Sequence, residues 1–365
     1  MFKWIKISDG HDNFFTPLRF IFAFMVLIGH AFIIGANNLQ AEPHIFYDYT
    51  FSYMAVNLFF IASGFLVTKS MLYRGDFAEF SSARILRIFP ALAVHVLLVM
   101  FIMGPFVTNL PLFEFITHPD FLSQPLKVLS FYDTNMEMPG ALLNNNEQYA
   151  SATLWTLRYE VLAYIGTAIA FALGLMRKKW MLLAMFVGFA IMWMVAVAAG
   201  LMETLPATIQ AILRFGICYS LGATIFAYRE RLQFHIVGVV LVTLAAAFTN
   251  GSALFEVTTA IMLAYSVFWA AYIKLPKLER LQSVSDISYG IYIYHWAILQ
   301  WLDHVYDLSS WQLIAITAPL TILISMASWH WVEKPMLANK KAFAEKLRFG
   351  KNKPFNYNRT TMLAD

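Results

Sequence analysis

Residues 17–35 read PLRFIFAFMVLIGHAFIIG, an apolar run long enough to cross a lipid bilayer as one α-helix. Two ionisable residues interrupt this run, Arg19 and His30. They lie eleven residues apart in the sequence, which places them on nearly the same helix face, about 16 Å apart along the axis. Ionisable groups inside a membrane span are costly and are usually functional. The run therefore predicts a transmembrane helix that presents a fixed positive charge and a titratable imidazole to one site.

The composition predicts an all-α integral membrane protein. Of the 365 residues, 59% are hydrophobic and only 13% are charged, whereas soluble domains carry about twice that charged fraction. The net charge of +4 is spread over the connections between apolar runs, which argues against a nucleic-acid partner. The single cysteine, Cys218, excludes an internal disulfide and has no metal-ligand pattern around it, so no metal is expected.

Apolar runs predict about ten transmembrane helices. Each run has spanning length or comes close to it. They lie at 14–36, 50–72, 86–108, 152–175, 180–201, 206–228, 234–250, 253–273, 286–308 and 311–332.

The charges of the connections predict the topology. Lysine and arginine are concentrated in alternate connections, such as 177–179, and basic connections stay in the cytoplasm. Both termini are then cytoplasmic. Residues 1–335 form the transmembrane domain, with a long periplasmic loop at about 109–151. Residues 336–365 form a basic cytoplasmic tail, and no soluble domain is expected. Long loops in compact folds tend to be functional, and the basic tail is expected to lie near anionic lipid.

Depth in the membrane predicts a first polar cluster. Glu160 is expected at about the depth of His30, roughly 10 Å below the outer surface. A carboxylate beside an imidazole raises its basicity, as a general base requires. Arg214 lies at a similar depth, and Arg158 is close to Glu160 in the sequence. The alternatives are a histidine that only packs and an interhelical Arg214–Glu160 ion pair.

A second cluster is predicted at the cytoplasmic side. Arg84 and Arg87 lie three residues apart on one helix face, and paired guanidinium groups suit phosphate. Lys69 could add positive charge, and Pro90 is expected to kink or restart the helix. The alternative is ordinary basic flanking of a membrane span.

A third cluster is predicted in the ninth span. Ser288, Tyr292 and His295 share one helix face and could line a cavity or make interhelical hydrogen bonds. Ser63, followed by Gly64 in the second span, permits close approach of a neighbour or a ligand.

Together these segments resemble the acyltransferase-3 family, whose members O-acetylate surface and secreted glycans in bacteria. The resemblance rests on an ordered set of motifs over nearly the whole chain. The set comprises Arg19 with His30, NLFFIASGF (57–65), Arg84 and Arg87 with Pro90, LWTLRYEVLAY (154–164), ISYGIYIYHW (287–296) and WHWVEKP (329–335). The chain departs from the family pattern at Thr16-Pro17-Leu18 and at Thr156, where serine is usual. These departures leave the charged groups in place.

The resemblance implies an O-acyltransferase that uses acetyl-CoA in the bacterial inner membrane. Its donor phosphates would bind Arg84 and Arg87, with Lys69 as a weaker candidate. His30 would act as the base or accept the acyl group, Glu160 would orient it, and Arg19 would stabilise charge or position the donor. Ser63, Arg158, Arg214, Tyr292 and His295 would line the cavity. The acceptor would be a polysaccharide hydroxyl or its lipid-linked precursor, and membrane lipid and export machinery are possible partners.

Two other functions fit the same residues. Buried charges at matched depth also serve a proton-coupled transporter or flippase, or a translocator of acetyl groups for a separate transferase. A structural role in an export complex fits less well, because scaffolding does not require costly intramembrane charges.

Overall fold

A computed structural model describes residues 4–8 and 13–348, and these residues are almost entirely helical. The predicted tail beyond residue 348 lies outside the described residues. The α-helices are α1 (Phe15–Gly35), α2 (Phe51–Arg74), α3 (Phe77–Leu98), α4 (Gly104–Val107), α5 (Leu112–Thr117), α6 (Pro119–Leu129), α7 (Trp155–Ala172), α8 (Lys179–Ala198), α9 (Ala207–Tyr228), α10 (Ile236–Phe248), α11 (Phe255–Tyr272), α12 (Ser288–Val305), α13 (Ser310–Ser328), α14 (Lys334–Ala338) and α15 (Lys340–Leu347). The strands are β1 (Ile5–Lys6), β2 (His44–Phe46), β3 (Tyr49–Thr50) and β4 (Gln233–Phe234).

Seven helical segments of the described chain are long and apolar enough to cross a membrane, against the ten that we predict from the sequence. They are Phe15–Gly35, Phe51–Arg74, Phe77–Val107, Lys179–Ala198, Ala207–Tyr228, Phe255–Tyr272 and Ser310–Ala338. The other three predicted spans form α7, α10 and α12. Helix α10 has only 13 residues, and α7 and α12 carry more polar side chains than a lipid-facing helix. The chain is therefore a multi-pass membrane protein.

Helix α12 lies at the centre of one half of the molecule. Every residue from 288 to 300 is buried, so this helix is surrounded by protein and does not need an apolar outer surface. Its main neighbours are α1 and α13. This packing explains why α12 can carry tyrosine, histidine and glutamine side chains along most of its length.

Two glycines bring α2 and α9 into close contact. A Cβ atom on Gly64 would lie 2.0 Å from the carbonyl oxygen of Tyr219, and one on Gly222 would lie 2.0 Å from that of Ile61. Only glycine permits this approach, which is typical of helix pairs in membranes. The close pair fixes the position of α2 against α9.

Connections predicted on the same side contact one another. At one end, β1 pairs antiparallel with β4, and Arg348 forms an ion pair with Asp76 at 2.9 Å. At the other end, Tyr49 donates a hydrogen bond to Glu256 at 2.5 Å. These contacts agree with the predicted alternation of the connections, while their sidedness in a membrane stays a prediction.

The long connection at 109–151 contains more structure than a loop. It includes α5 and α6, and the aromatic rings of Phe115 and Phe121 are fully buried against each other. Asn145 in the same segment donates hydrogen bonds to the Gln300 side chain and backbone on α12. The segment therefore packs over one end of the helix bundle.

The expected restart of the helix at Pro90 is wrong. Helix α3 neither stops nor restarts at Pro90, but begins at Phe77 and runs on into a π-helical segment, Val99–Met103. The described part of the segment after residue 336 lies against the bundle, because α15 packs on α3 and Ser82 donates to the carbonyl oxygen of Lys340 at 2.5 Å. This packing brings Lys340 to the cavity described next.

Candidate active site

A cavity of about 370 Å³ lies between α1, α2, α3, α7 and α12. Its lining includes five basic and two acidic residues, which gives an excess of positive charge. Arg74, Arg84 and Lys340 lie at one end, which we call the basic end. Phe59, Phe60 and Tyr292 lie at the other, which we call the aromatic end. From Val56 to Arg74 the lining follows α2 for about 27 Å, so the cavity suits an elongated ligand with a charged head.

The basic end offers hydrogen-bond donors that the protein itself does not use. The Nε atom of Arg84 is buried and has no hydrogen-bond partner among the described residues. Arg84 donates from Nη2 to Ser70 at 3.3 Å, and its guanidinium lies over the Tyr164 ring, 5.4 Å from the centroid. Arg74 bonds the same serine from Nε at 3.1 Å. An anion such as a phosphate would satisfy these donors.

The two guanidinium groups of the Arg84–Arg87 pair have different surroundings. Arg87 donates to Glu333 at 3.1 Å and to Asp286 at 2.9 Å, so its charge is already compensated by two carboxylates. Arg19 pairs with the same Asp286. The Asp286 carboxylate is thus shared by two guanidinium groups. Arg19, Arg87, Asp286 and Glu333 therefore form a compensated ionic network in the cavity wall.

A π-helical segment, Trp329–Glu333, places Glu333 in this network. Its side chain is fully buried and also accepts from Ser328 at 3.3 Å. Such segments in helices occur frequently at functional sites. The Trp329 ring lies on the cavity lining and faces the guanidinium of Arg87, with 5.6 Å between them.

Just beyond the aromatic end, His30 and His295 form a hydrogen-bonded pair. His30 Nδ1 lies 2.9 Å from His295 Nε2, and the two rings are stacked with 5.2 Å between centroids. His295 is fully buried and His30 is half-buried. The Tyr292 ring lies 6.3 Å from the His295 ring, which connects the pair to the cavity lining.

The hydrogen bonds determine which nitrogen of each neutral ring carries the proton. His295 Nδ1 lies 2.8 Å from the carbonyl oxygen of Ile291, which can only accept, so this nitrogen is the donor. His295 Nε2 must then accept from His30 Nδ1–H. The remaining nitrogen, His30 Nε2, keeps its lone pair and has no hydrogen-bond partner among the described residues. This arrangement is that of a general base held by a second residue.

Glu160 does not contact His30, contrary to the expectation from depth. It accepts a hydrogen bond from Tyr164, one turn later on α7, and lines the cavity closer to the basic end. The reason is the packing of the helices, because α7 packs on α2 and α9 whereas α12 packs on α1. His295 therefore takes the place next to His30 that the sequence analysis gives to Glu160.

Arg214 and Arg158 lie outside the cavity lining in the described structure. Arg214 does not pair with Glu160. It donates to Asn57 at 2.8 Å, and its guanidinium lies 3.4 Å from the centroid of the Tyr53 ring. Arg158 donates to the carbonyl oxygen of Tyr132 at 3.3 Å.

Of the remaining predicted residues, two line the cavity and one lies outside its lining. Ser63 and Tyr292 line the cavity, and the Tyr292 hydroxyl lies 2.5 Å from that of Thr156 and donates to the Thr153 carbonyl at 2.8 Å. Lys69 lies on the other side of α2 from the lining, with its ammonium group 5.8 Å from the centroid of the Tyr73 ring.

The sequence analysis misses four residues of the site: Arg74, Asp286, Glu333 and Lys340. Asp286 directly precedes one motif that is singled out there, and Glu333 lies within another. The cost of an isolated carboxylate next to a span is a signal that could have found them. Lys340 lies beyond the last span, and only the packing of α15 on α3 brings it to the cavity.

Comparison with known proteins identifies the family of the chain. A family model described as "Acyltransferase domain" matches residues 13–330. An O-acetyl transferase of Shigella phage Sf6 is 26% identical over 333 residues, which cover 89% of this chain and 96% of that protein. Nodulation protein 10 of Rhizobium leguminosarum bv. viciae is 28% identical over 363 residues, which cover 90% and 94% of the two chains. No solved structure gives a significant match. The family match includes every helix from α1 to α13, and the chain therefore belongs to the acyltransferase-3 family and is an acyltransferase.

Proposed function

We propose that this acyltransferase moves an acetyl group from acetyl-CoA to a hydroxyl of a cell-surface or exported polysaccharide, or of its lipid-linked precursor. The observation that carries the proposal is the position of the His30–His295 pair beyond one end of a cavity whose other end is basic. The name of the phage relative, an O-acetyl transferase, supports acetyl as the group transferred.

The donor would enter the cavity with its phosphates at the basic end. Arg84, Arg74 and Lys340 supply the positive charge there, and Arg84 Nε is a donor without a partner in the described part of the chain. The pantetheine arm then extends along α2, and the thioester lies at the aromatic end. Arg19 lines the cavity but lies eleven residues before His30 on α1, about 16 Å along the axis. It is therefore too far from His30 to act on the reacting group, and we assign it to positioning of the donor.

The acceptor would approach His30 from the side opposite to the basic end. His30 Nε2 takes the proton of the attacking hydroxyl, and His295 Nε2 stabilises the resulting imidazolium through the Nδ1–H bond. The acceptor oxygen forms a bond to the acyl carbon as the bond from that carbon to sulfur breaks. The leaving thiolate recovers the proton from His30. Atoms and charges balance, and no acyl-enzyme is required.

The two ends of the cavity also suggest how the substrates are separated by the membrane. The basic end lies by the connections predicted to be cytoplasmic, and the segment at 109–151 covers the opposite end. We propose the inner membrane of a bacterium as the location. Membrane lipid and the polysaccharide-export machinery are the partners that this location provides.

The test is transfer of radiolabelled acetyl from acetyl-CoA to acceptor glycan by purified protein in lipid nanodiscs. We expect His30→Ala to lose 10²–10⁴-fold in turnover, the usual size of a general-base effect. Exposed His330, which bonds only a carbonyl of its own helix at 2.8 Å, provides the matched control His330→Ala, which should remain active. Full turnover by His30→Ala, or no transfer by the wild-type protein, would rule out the proposed function and favour transport.

A further inference from the structure

A second cavity, of about 200 Å³, lies beside the first between α2, α7, α8 and α9. It is almost wholly apolar, and its lining includes Leu162, Met185, Phe189 and Phe215. Phe60 is the only described residue that lines both cavities. Its side chain therefore forms the shared wall between the aromatic end of the active site and an apolar side cavity.

The Phe60 ring is held firmly in this position. It is 5% exposed and stacks on the Phe215 ring, with 4.1 Å between centroids and 4° between planes. Phe215 is in turn packed edge-on against Tyr159, at 5.3 Å. Displacing a stacked ring in a close-packed environment costs packing energy. The Phe60 ring is therefore expected to stay in place when a flexible acyl chain reaches it, and it acts as a fixed stop for that chain.

The acyl group of the donor lies next to this stop. This step rests on the proposed function, in which the phosphates occupy the basic end and the thioester reaches the aromatic end. Phe60 lies fourteen residues before Arg74 on α2, about 21 Å along the axis, so it is far from the phosphates and near the reacting group. A chain longer than acetyl would meet the Phe60 ring.

We propose that Phe60 limits the donor to a short acyl group, and that the side cavity would hold the rest of a longer acyl chain once this ring is removed. Each methylene that moves from water into an apolar cavity favours binding by about fourfold. The side cavity therefore has the chemistry to accept butyryl or hexanoyl groups, but Phe60 keeps them out.

The experiment compares kcat/KM for acetyl-CoA, butyryl-CoA and hexanoyl-CoA with one acceptor. We expect the wild-type protein to prefer acetyl-CoA, and Phe60→Ala to raise the hexanoyl-to-acetyl ratio at least tenfold. Phe60→Leu, which keeps more of the packing, should raise the butyryl-to-acetyl ratio and serves if the alanine variant does not fold.

A second substitution that fills the side cavity with a larger side chain makes the test specific to this cavity. Gly166 lines this cavity, and a Cβ atom built there meets no atom within 4 Å, so a larger side chain can begin at this position without a clash at Cβ. Phe60→Ala combined with Gly166→Phe should lose the gain with hexanoyl-CoA. The role of Phe60 is refuted if the acyl-length ratios of both Phe60 variants equal that of the wild type while acetyl transfer persists. Absence of acetyl transfer from the wild-type protein would instead refute the proposed function.

Discussion

Replacing His295 should weaken catalysis through His30 rather than through binding of the donor. His295 is fully buried and accepts the hydrogen bond from His30 Nδ1 at 2.9 Å, while its own Nδ1 is held by the Ile291 carbonyl. In the proposed reaction His30 becomes a cation, and this hydrogen bond is strongest at that moment. His295 is therefore a positioning residue, and its loss should lower kcat and leave KM for acetyl-CoA nearly unchanged.

The size of the effect follows from the bond that is lost. A hydrogen bond to a charged group contributes about 1.5–3 kcal/mol, which corresponds to about 10- to 150-fold in rate. His295→Ala should therefore lose less activity than His30→Ala, for which a loss of 10²–10⁴-fold is expected. His295→Gln places an amide oxygen near the former position of Nε2 and should recover most of the activity. His295→Asn is one methylene shorter and should not.

The assay is steady-state acetyl transfer by the His295 variants in nanodiscs, with thermal denaturation as the check on folding. Equal activity of the glutamine and asparagine variants at matched stability would refute the positioning argument, because a purely structural histidine would not distinguish the two amide lengths. Wild-type kcat for His295→Ala would refute it as well.

Three further predictions concern the donor site, the ionic network and the helix packing. Arg84→Ala should raise KM for acetyl-CoA about 10- to 100-fold with a smaller change in kcat, because it removes charge-assisted hydrogen bonds to phosphate; unchanged KM would contradict this. Glu333→Ala leaves Arg87 with one carboxylate and should lower stability by about 3 kcal/mol, measured as a lower denaturation midpoint; an unchanged midpoint would count against the network. Gly64→Val should destabilise the protein because a Cβ there lies 2.0 Å from a carbonyl oxygen, whereas Gly188→Ala, with no atom within 4 Å, should not; equal midpoints would refute the close-packing argument.

The sequence predicts the helical membrane fold well because lipid imposes a simple rule on apolar length. Helices α1, α2 and α9 lie within a residue or two of their predicted spans. The rule fails for α12. This helix is buried from Ser288 to Gln300, so it does not need the hydropathy of a lipid-facing span. It also overlooks the segment at 109–151, because α5 and α6 pack on the bundle rather than in lipid.

The sequence predicts which types of residue form the candidate site, but it does not predict which of these residues contact one another. Each cluster proposed from the sequence has at least one member at or beside the cavity, because isolated polar groups in spans are few. Depth along a span cannot tell which helices are neighbours. His30 and Glu160 were matched by depth, yet α12 rather than α7 packs on α1, and His295 is the partner.

The hydrogen-bond partners of the cavity arginines indicate whether each side chain stabilises the protein or binds the donor. Arg87 pairs with both Asp286 and Glu333, and a buried cation with two carboxylate partners gains little from a further anion. Arg84 has a buried donor that no residue of 4–8 or 13–348 satisfies, and such a group costs free energy until a ligand binds it. Two residues of one Arg-x-x-Arg motif, three positions apart on α3, are thus expected to respond differently to the same substitution. Loss of Arg84 should affect donor binding, whereas loss of Arg87 should first affect the stability of the cavity wall.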